Sequence, residues 1–153
     1  MPKDYPCQYP LKVHSDDRGF LTEILRQDWG YFPQIKQVYV VESPLRYTVR
    51  AWHKHRKLWD AFCVIHGRAR VYCCKSDGSI GYTKPQEFIL SAKAPSVLVI
   101  PPNYFHSWQS LSDNCILLSI ASEVYNRENP DEERIPFDAL EAQYGDLWKV
   151  KFK

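Results

Sequence analysis

The stretch VRAWHKHRKLWDAFCVIHGRARVYCC, Val49 to Cys74, decides the fold. It breaks into three short runs, Val49–His55, Leu58–Ile65 and Arg68–Cys74, rich in β-branched and aromatic residues. Such runs between turn residues read as strands. His66-Gly67 is turn chemistry, since glycine takes positive φ at little steric cost. Outward from there, Ile35–Glu42, Glu87–Ser91, Ser96–Ile100 and Cys115–Ser122 read the same way, and Ser76-Asp77-Gly78-Ser79 as a turn. Strands at intervals of roughly ten residues suit an antiparallel sandwich or small barrel. A parallel sheet would need crossover helices, and no helix-period segment separates these runs. The expectation is an all-β chain.

The chain has 153 residues, enough for one domain spanning 1–153, with a proline-containing, charged arm from about Tyr125. In that arm Asp131-Glu132-Glu133 follows Pro130 and is expected to start one helical turn, as negative charge favours a helix N-terminus. Twenty basic against 18 acidic residues give a net charge of +2, which argues against a nucleic-acid partner. The longest apolar runs, such as Val97–Ile100, are too short to span a bilayer, so no membrane association is expected. The opening Met-Pro-Lys-Asp-Tyr-Pro lacks the apolar centre of a signal peptide, and the five scattered cysteines read as free thiols. Both point to the cytoplasm.

The chemistry concentrates in two segments. In His53-Lys54-His55, followed by Asp60 and Gly67, alternate side chains of an extended strand share a face, so two imidazoles converge. They suit a metal site, an acid/base pair or the wall of a sugar pocket. The second segment is Pro101-Pro102-Asn103-Tyr104-Phe105-His106, where Asn103 stands at a turn position that wants the left-handed region. His106 and Trp108 then share a face of the following strand. His14 and His66 read as structural, Trp52, Trp59 and Trp108 as packing, and Lys149–Lys153 as a solvated edge strand or tail.

Together these segments resemble the two motifs of the cupin barrel, with Asp60 at the carboxylate position and Asn103 at a glycine position. A wider resemblance runs through Asp17-Arg18-Gly19-Phe20, Glu23, Gln37, Arg50-Ala51-Trp52-His53, Ile100–His106, Tyr125 and Glu133–Asp138. These are similar to landmarks of the dTDP-4-dehydrorhamnose 3,5-epimerase family, and the His53–Leu58 pattern is also similar to dTDP-sugar 3,4-ketoisomerases. The resemblance implies a cupin-type homodimer that acts without metal or other cofactor on a nucleoside-diphosphate 4-keto-6-deoxy-hexose. The setting it implies is surface-polysaccharide biosynthesis, lipopolysaccharide included.

What the resemblance implies residue by residue follows from that chemistry. A ketone acidifies the neighbouring C–H bonds, and a neutral imidazole can remove the proton. His53 is expected as base, His106 or His55 as charge stabiliser or proton relay, and Tyr125 as donor. Arg18 and Arg50 would fork onto the diphosphate, and Glu23, Gln37, Tyr39 and Asp60 would line the substrate pocket. Arg50 and His53 lie three apart, so a bulge is needed to turn both into one pocket. Asp60 replaces an active-site lysine of the double epimerases, and their second tyrosine falls near Ser119. Asp146 or Asp60 would have to replace their histidine-orienting aspartate. The leading expectation is epimerisation at C3, and at C5 if the missing groups are replaced. The alternatives are 3,4-ketoisomerisation, a metal-dependent cupin using His53, His55, Asp60 and His106, or a non-catalytic sugar-nucleotide-binding cupin.

Overall fold

A computed structural model describes residues 1–78 and 81–149. Ser79 of the expected turn and residues 150–153 of the expected tail lie outside the described residues. In chain order the strands are β1 (Cys7–Pro10), β2 (Val13–Asp16), β3 (Gly19–Thr22), β4 (Gln37–Ser43), β5 (Val49–Lys54) and β6 (Asp60–His66). They continue as β7 (Arg68–Cys74), β8 (Gln86–Ser91), β9 (Ser96–Ile100), β10 (Phe105–Ser110), β11 (Cys115–Ala121) and β12 (Glu133–Arg134). A short helix, α1, covers Glu141–Tyr144.

Two five-stranded antiparallel sheets face each other, ordered β1-β9-β6-β11-β4 and β12-β5-β10-β7-β8, with β2-β3 a separate hairpin. This is the expected cupin-type barrel. Apolar side chains from both sheets meet inside it, among them Phe62, Val71, Leu90, Leu98 and Leu117. Each sheet is also covered outside. Tyr9, Leu25, Tyr31 and Phe32 pack on Ala61, Val97, Val99 and Ile120 of the first sheet. Ile135, Leu140, Tyr144 and Trp148 of the C-terminal arm pack on Trp52, Tyr72 and Phe105 of the second. Strands buried on both faces lose the apolar–polar alternation of a half-exposed sheet, and β9 and β10 are buried along their whole length.

The expected turn residues Gly67 and Asn103 take the left-handed region. Gly67 sits at φ 77°, where a Cβ would strike Ser112. Asn103 sits at φ 66°, its N–H donating to the carbonyl of His55 at 2.7 Å. Asn114 shares the left-handed region at φ 51°. One expectation is corrected. Asp131–Glu133 forms no helical turn, because β12 adds to the edge of β5, pairing Glu133 with Lys54 and Arg134 with His53. That edge offers regular partners to the arm's backbone, while the Asp131 carboxylate takes N–H groups of another segment.

Candidate active site

The site begins with a bulge. His106 faces His53 across the β10–β5 ladder and Trp108 faces Arg50, so Ala51 and Trp52 together oppose Ser107. The extra residue lies on β5. It turns Arg50 and His53 onto one wall and sends Trp52, fully buried, outward into the packing under the C-terminal arm. The Trp52 indole N–H donates to the Phe137 carbonyl at 3.2 Å and fixes that outward pose. The geometric conflict between Arg50 and His53 is thus removed by the bulge itself.

The wall encloses a cavity of about 540 Å³ at one end of the barrel. The apolar packing fills the middle. Register explains which side chains reach the cavity: Asp60 pairs with Ala121, Ala121 with Gln37 and Ser119 with Tyr39. Alternate residues of β4, β6 and β11 therefore point inward together.

Three imidazoles converge there, with ring centres 4.1 Å apart for His53–His106, 5.5 Å for His53–His55 and 5.7 Å for His55–His106. Two are locked by backbone carbonyls. His55 Nδ1 meets the Asp131 carbonyl and His106 Nδ1 meets the Tyr104 carbonyl at 3.1 Å. A carbonyl only accepts, so both Nδ1 atoms carry the proton and both Nε2 atoms are bare in the neutral rings. The two bare Nε2 atoms face one oxygen, Asp60 Oδ2, at 3.4 and 3.3 Å. Acceptors facing a carboxylate oxygen favour a proton between them. Burial accordingly pushes the Asp60 carboxyl up to about 7. Burial, reinforced by the His55 ring, pushes His53 down to about 4, so it is neutral at physiological pH. His106, buried beside His53 and His55, is held well below the ordinary histidine value.

Asp131 clasps the loop before β6. Its carboxylate accepts from the N–H groups of Arg56, Lys57 and Leu58 at 3.0, 2.8 and 3.1 Å. Although partial burial opposes it, these bonds hold the carboxyl below the usual aspartate value. The clasp brings Glu132 and Arg134, which pair with each other, to the cavity wall. Sequence reasoning missed both residues as site residues. Arg134 fell inside the Glu133–Asp138 landmark but was given no role, Glu132 fell outside it, and β12 pairing is what brings the segment beside His53.

Of the expected site residues, His53, His55, Asp60, Arg50, Gln37, Tyr39 and Tyr125 line the cavity, and His106 adjoins Asp60 from beneath. Arg50 bridges toward the opposite sheet, donating to the Glu42 carbonyl at 3.1 Å, and its guanidinium lies 5.8 Å from the Trp108 ring centre. Gln37 accepts the Tyr125 backbone N–H at 2.7 Å, leaving the phenol half exposed at the mouth. Arg18 and Glu23 stand apart. Arg18 forks onto Asp16 at the hairpin tip, and Glu23 pairs with Arg26. Asp146 accepts the Trp148 N–H, and Asp60 contacts His55 and His106, so the carboxylates expected to orient His53 are engaged elsewhere. His66 donates to the Asn114 carbonyl at 2.7 Å, a structural role.

A cupin-type barrel whose mouth holds a neutral imidazole, two tautomer-locked imidazoles, a carboxyl and an arginine has the groups that could move a proton on an anionic ligand. Comparison with known proteins gives the family. Residues 14–133 match the family described as polysaccharide biosynthesis C-terminal domain, and the chain belongs to that family. It is 31% identical to the probable low-salt glycan biosynthesis epimerase Agl13 of Haloferax volcanii, over 84% of each chain. It is 30% identical to the TDP-4-oxo-6-deoxy-alpha-D-glucose-3,4-oxoisomerase of Aneurinibacillus thermoaerophilus, over 76% of this chain and 78% of that one. The dTDP sugar isomerase of Desulfovibrio desulfuricans superposes with a TM-score of 0.79 at 21% identity, covering 94% of this chain and 90% of that one. The resemblance read from the sequence is borne out.

Proposed function

We propose that this protein is a nucleotide-sugar isomerase that epimerises a nucleoside-diphosphate 4-keto-6-deoxy-hexose at C3. The observation that carries the reading is a neutral, partly buried His53 on the same cavity wall as Arg50. A bare nitrogen of His53 takes the C3 proton, and the C–H electrons pass into the C4 carbonyl to give an enolate. The protonated Asp60, with His55 behind it, faces the charge that develops. Re-protonation of C3 from the opposite face, with the Tyr125 phenol as donor, gives the epimer with no net change in oxidation state. Arg50 suits the diphosphate because guanidinium binds phosphate oxygens in a fork. Ser119 on the cavity wall, where the double epimerases have a phenol, favours one centre over two.

A second reading, 3,4-ketoisomerisation, is favoured by the His55 ring 5.5 Å from His53, a second proton carrier on the same strand, and by the oxoisomerase relative. The proposal includes a cytoplasmic homodimer serving surface-polysaccharide, lipopolysaccharide-type synthesis. Exposed Phe20 and Leu21 of the hairpin and Val38 and Val40 of β4 suit burial in such a pair. Arg18 and Glu23 on and beside that hairpin would then reach a partner's cavity. Incubation with dTDP-4-keto-6-deoxyglucose in deuterated water, followed by proton NMR, tests the activity. Deuterium at C3 with the ketone still at C4 supports epimerisation. Deuterium appearing with a ketone at C3 selects the second reading, and no exchange with a panel of 4-keto nucleotide sugars removes both.

A further inference from the structure

We infer that the Glu132–Arg134 ion pair is a latch opened by substrate: the diphosphate of an arriving nucleotide sugar draws Arg134 off Glu132, and the uncovered carboxylate steadies the imidazolium that His53 becomes on taking the C3 proton. The inference rests on the proposed function for the identity of that proton, and on the geometry of the wall for the rest. β12 lies on the outer edge of β5, with Arg134 opposite His53 and Glu133 opposite Lys54. Alternation sorts the segment into two faces. Glu132 and Arg134 turn to the cavity beside His53, His55 and Arg50. Glu133 turns away and pairs with Lys54 at 3.1 Å, while Ile135 packs in the outer cluster with Trp52. The Ile135 N–H donates to the Trp52 carbonyl at 3.2 Å, which anchors the backbone that carries the pair.

The two partners are unequally buried. The Glu132 side chain is 15% exposed and its Oε1 is shut off from water, whereas the Arg134 side chain is 76% exposed. That oxygen has no aligned hydrogen bond among the described residues, and its ionic contact is Arg134 Nε. An exposed guanidinium gains little from such a pair and loses little on leaving it. It forks readily onto phosphate oxygens. The carboxylate has the opposite balance, because a buried charge stripped of its cation is costly until another takes its place. On the facing strand the group that becomes a cation is His53. Burial first, then the His55 ring, keeps His53 neutral; of the weaker influences, Glu132 favours the protonated ring and Arg134 opposes it. Asp60 and Asp146 are engaged elsewhere, so Glu132 is the carboxylate left to serve that ring. Moving Arg134 to the diphosphate removes the opposing charge and keeps the favourable one. The gain comes as the proton is transferred, so it appears in kcat rather than in ground-state binding. Arg134 is thus a binding residue and Glu132 a positioning residue.

The test measures C3 exchange kinetics and dTDP affinity for the full-length wild type, Glu132→Gln, Arg134→Met and Arg134→Lys. Glu132→Gln should lower kcat at least about tenfold while dTDP binds about two- to tenfold more tightly, because Arg134 no longer leaves a carboxylate to reach the diphosphate. A merely structural role would weaken both. Arg134→Met should raise KM and weaken dTDP binding at least about tenfold with kcat within about threefold, and Arg134→Lys should recover part of the lost affinity. Should the variants misfold, NMR of the wild type decides instead: the Arg134 ¹⁵Nε–¹Hε resonance should move on saturation with dTDP and stay in place with thymidine, which lacks the diphosphate. Wild-type kcat in Glu132→Gln, unchanged KM in Arg134→Met, or an Arg134 resonance indifferent to dTDP would each overturn the inference. If the wild type exchanges C3 of no keto sugar, the proposed function falls, while the dTDP affinities and the Arg134 resonance still decide whether the pair opens.

Discussion

Replacing Asp60 by Asn isolates the most unusual charge in the barrel. The folded carboxyl titrates at about 7, against 3.8 for an unperturbed aspartate. Because the fold holds this proton to higher pH than the unfolded chain does, the group's favourable contribution is complete below pH 4. It is lost as pH rises through about 7. Each pKa unit is worth about 1.4 kcal/mol, so keeping Asp60 folded costs roughly 1–2 kcal/mol near pH 5 and about 4 kcal/mol near pH 8. An asparagine is neutral at both and can still donate to the bare Nε2 of His55 or His106. Asp60→Asn should therefore gain roughly 3 kcal/mol relative to the wild type between pH 5 and pH 8. Titrations of other groups, His53 included, cancel to first order in the difference. Urea unfolding followed by tryptophan fluorescence, in EDTA at constant ionic strength, measures it. Parallel pH profiles for the two proteins would mean that Asp60 is ionised throughout, and the argument from two bare nitrogens facing one oxygen would fail.

Three further outcomes follow from the same geometry. The acidic limb of kcat/KM for C3 exchange should fall near pH 4, where His53 protonates, and an inflection near 6.5 would place that ring in water. Asn103→Ala should lose about 1 kcal/mol, because at φ 66° alanine keeps the crowded Cβ but loses the short polar side chain that lets asparagine occupy the left-handed region, while Asn103→Gly should stay within a few tenths; equal losses in thermal unfolding would contradict this. Asp131→Ala removes the acceptor of three backbone N–H groups and should cost about 1–3 kcal/mol. Its amides at Arg56, Lys57 and Leu58 should exchange with solvent faster and the substrate KM should rise, because the clasp carries Glu132 and Arg134; unchanged exchange would remove the clasp.

The strands from Val49 to Cys74 were legible because short β-branched runs between glycine and asparagine turns have few other folds open to them. The paired imidazoles were legible because a period of two places His53 and His55 together. The bulge was legible only as a need, since nothing in Arg50-Ala51-Trp52-His53 says which residue is extra; the outward burial of Trp52 under the C-terminal arm decides that. Asp131 was misread for the same reason. A local rule assigns an aspartate after proline to a helix start, whereas the β5 edge and three N–H groups of a distant loop offered better partners. Glu132 and Arg134 stayed hidden because β12 pairing, a contact with residues 79 to 81 positions away, is what delivers them to the cavity.

The role of His53 as base is decided by a single comparison of deuterium uptake at C3 between wild type and His53→Asn, both metal-free and saturated with the 4-keto nucleotide sugar. Asparagine preserves the cavity but cannot accept the proton, so exchange should fall by at least about 100-fold while affinity for dTDP stays within a few-fold. Exchange at the wild-type rate in a properly folded His53→Asn protein would show that another group removes the proton.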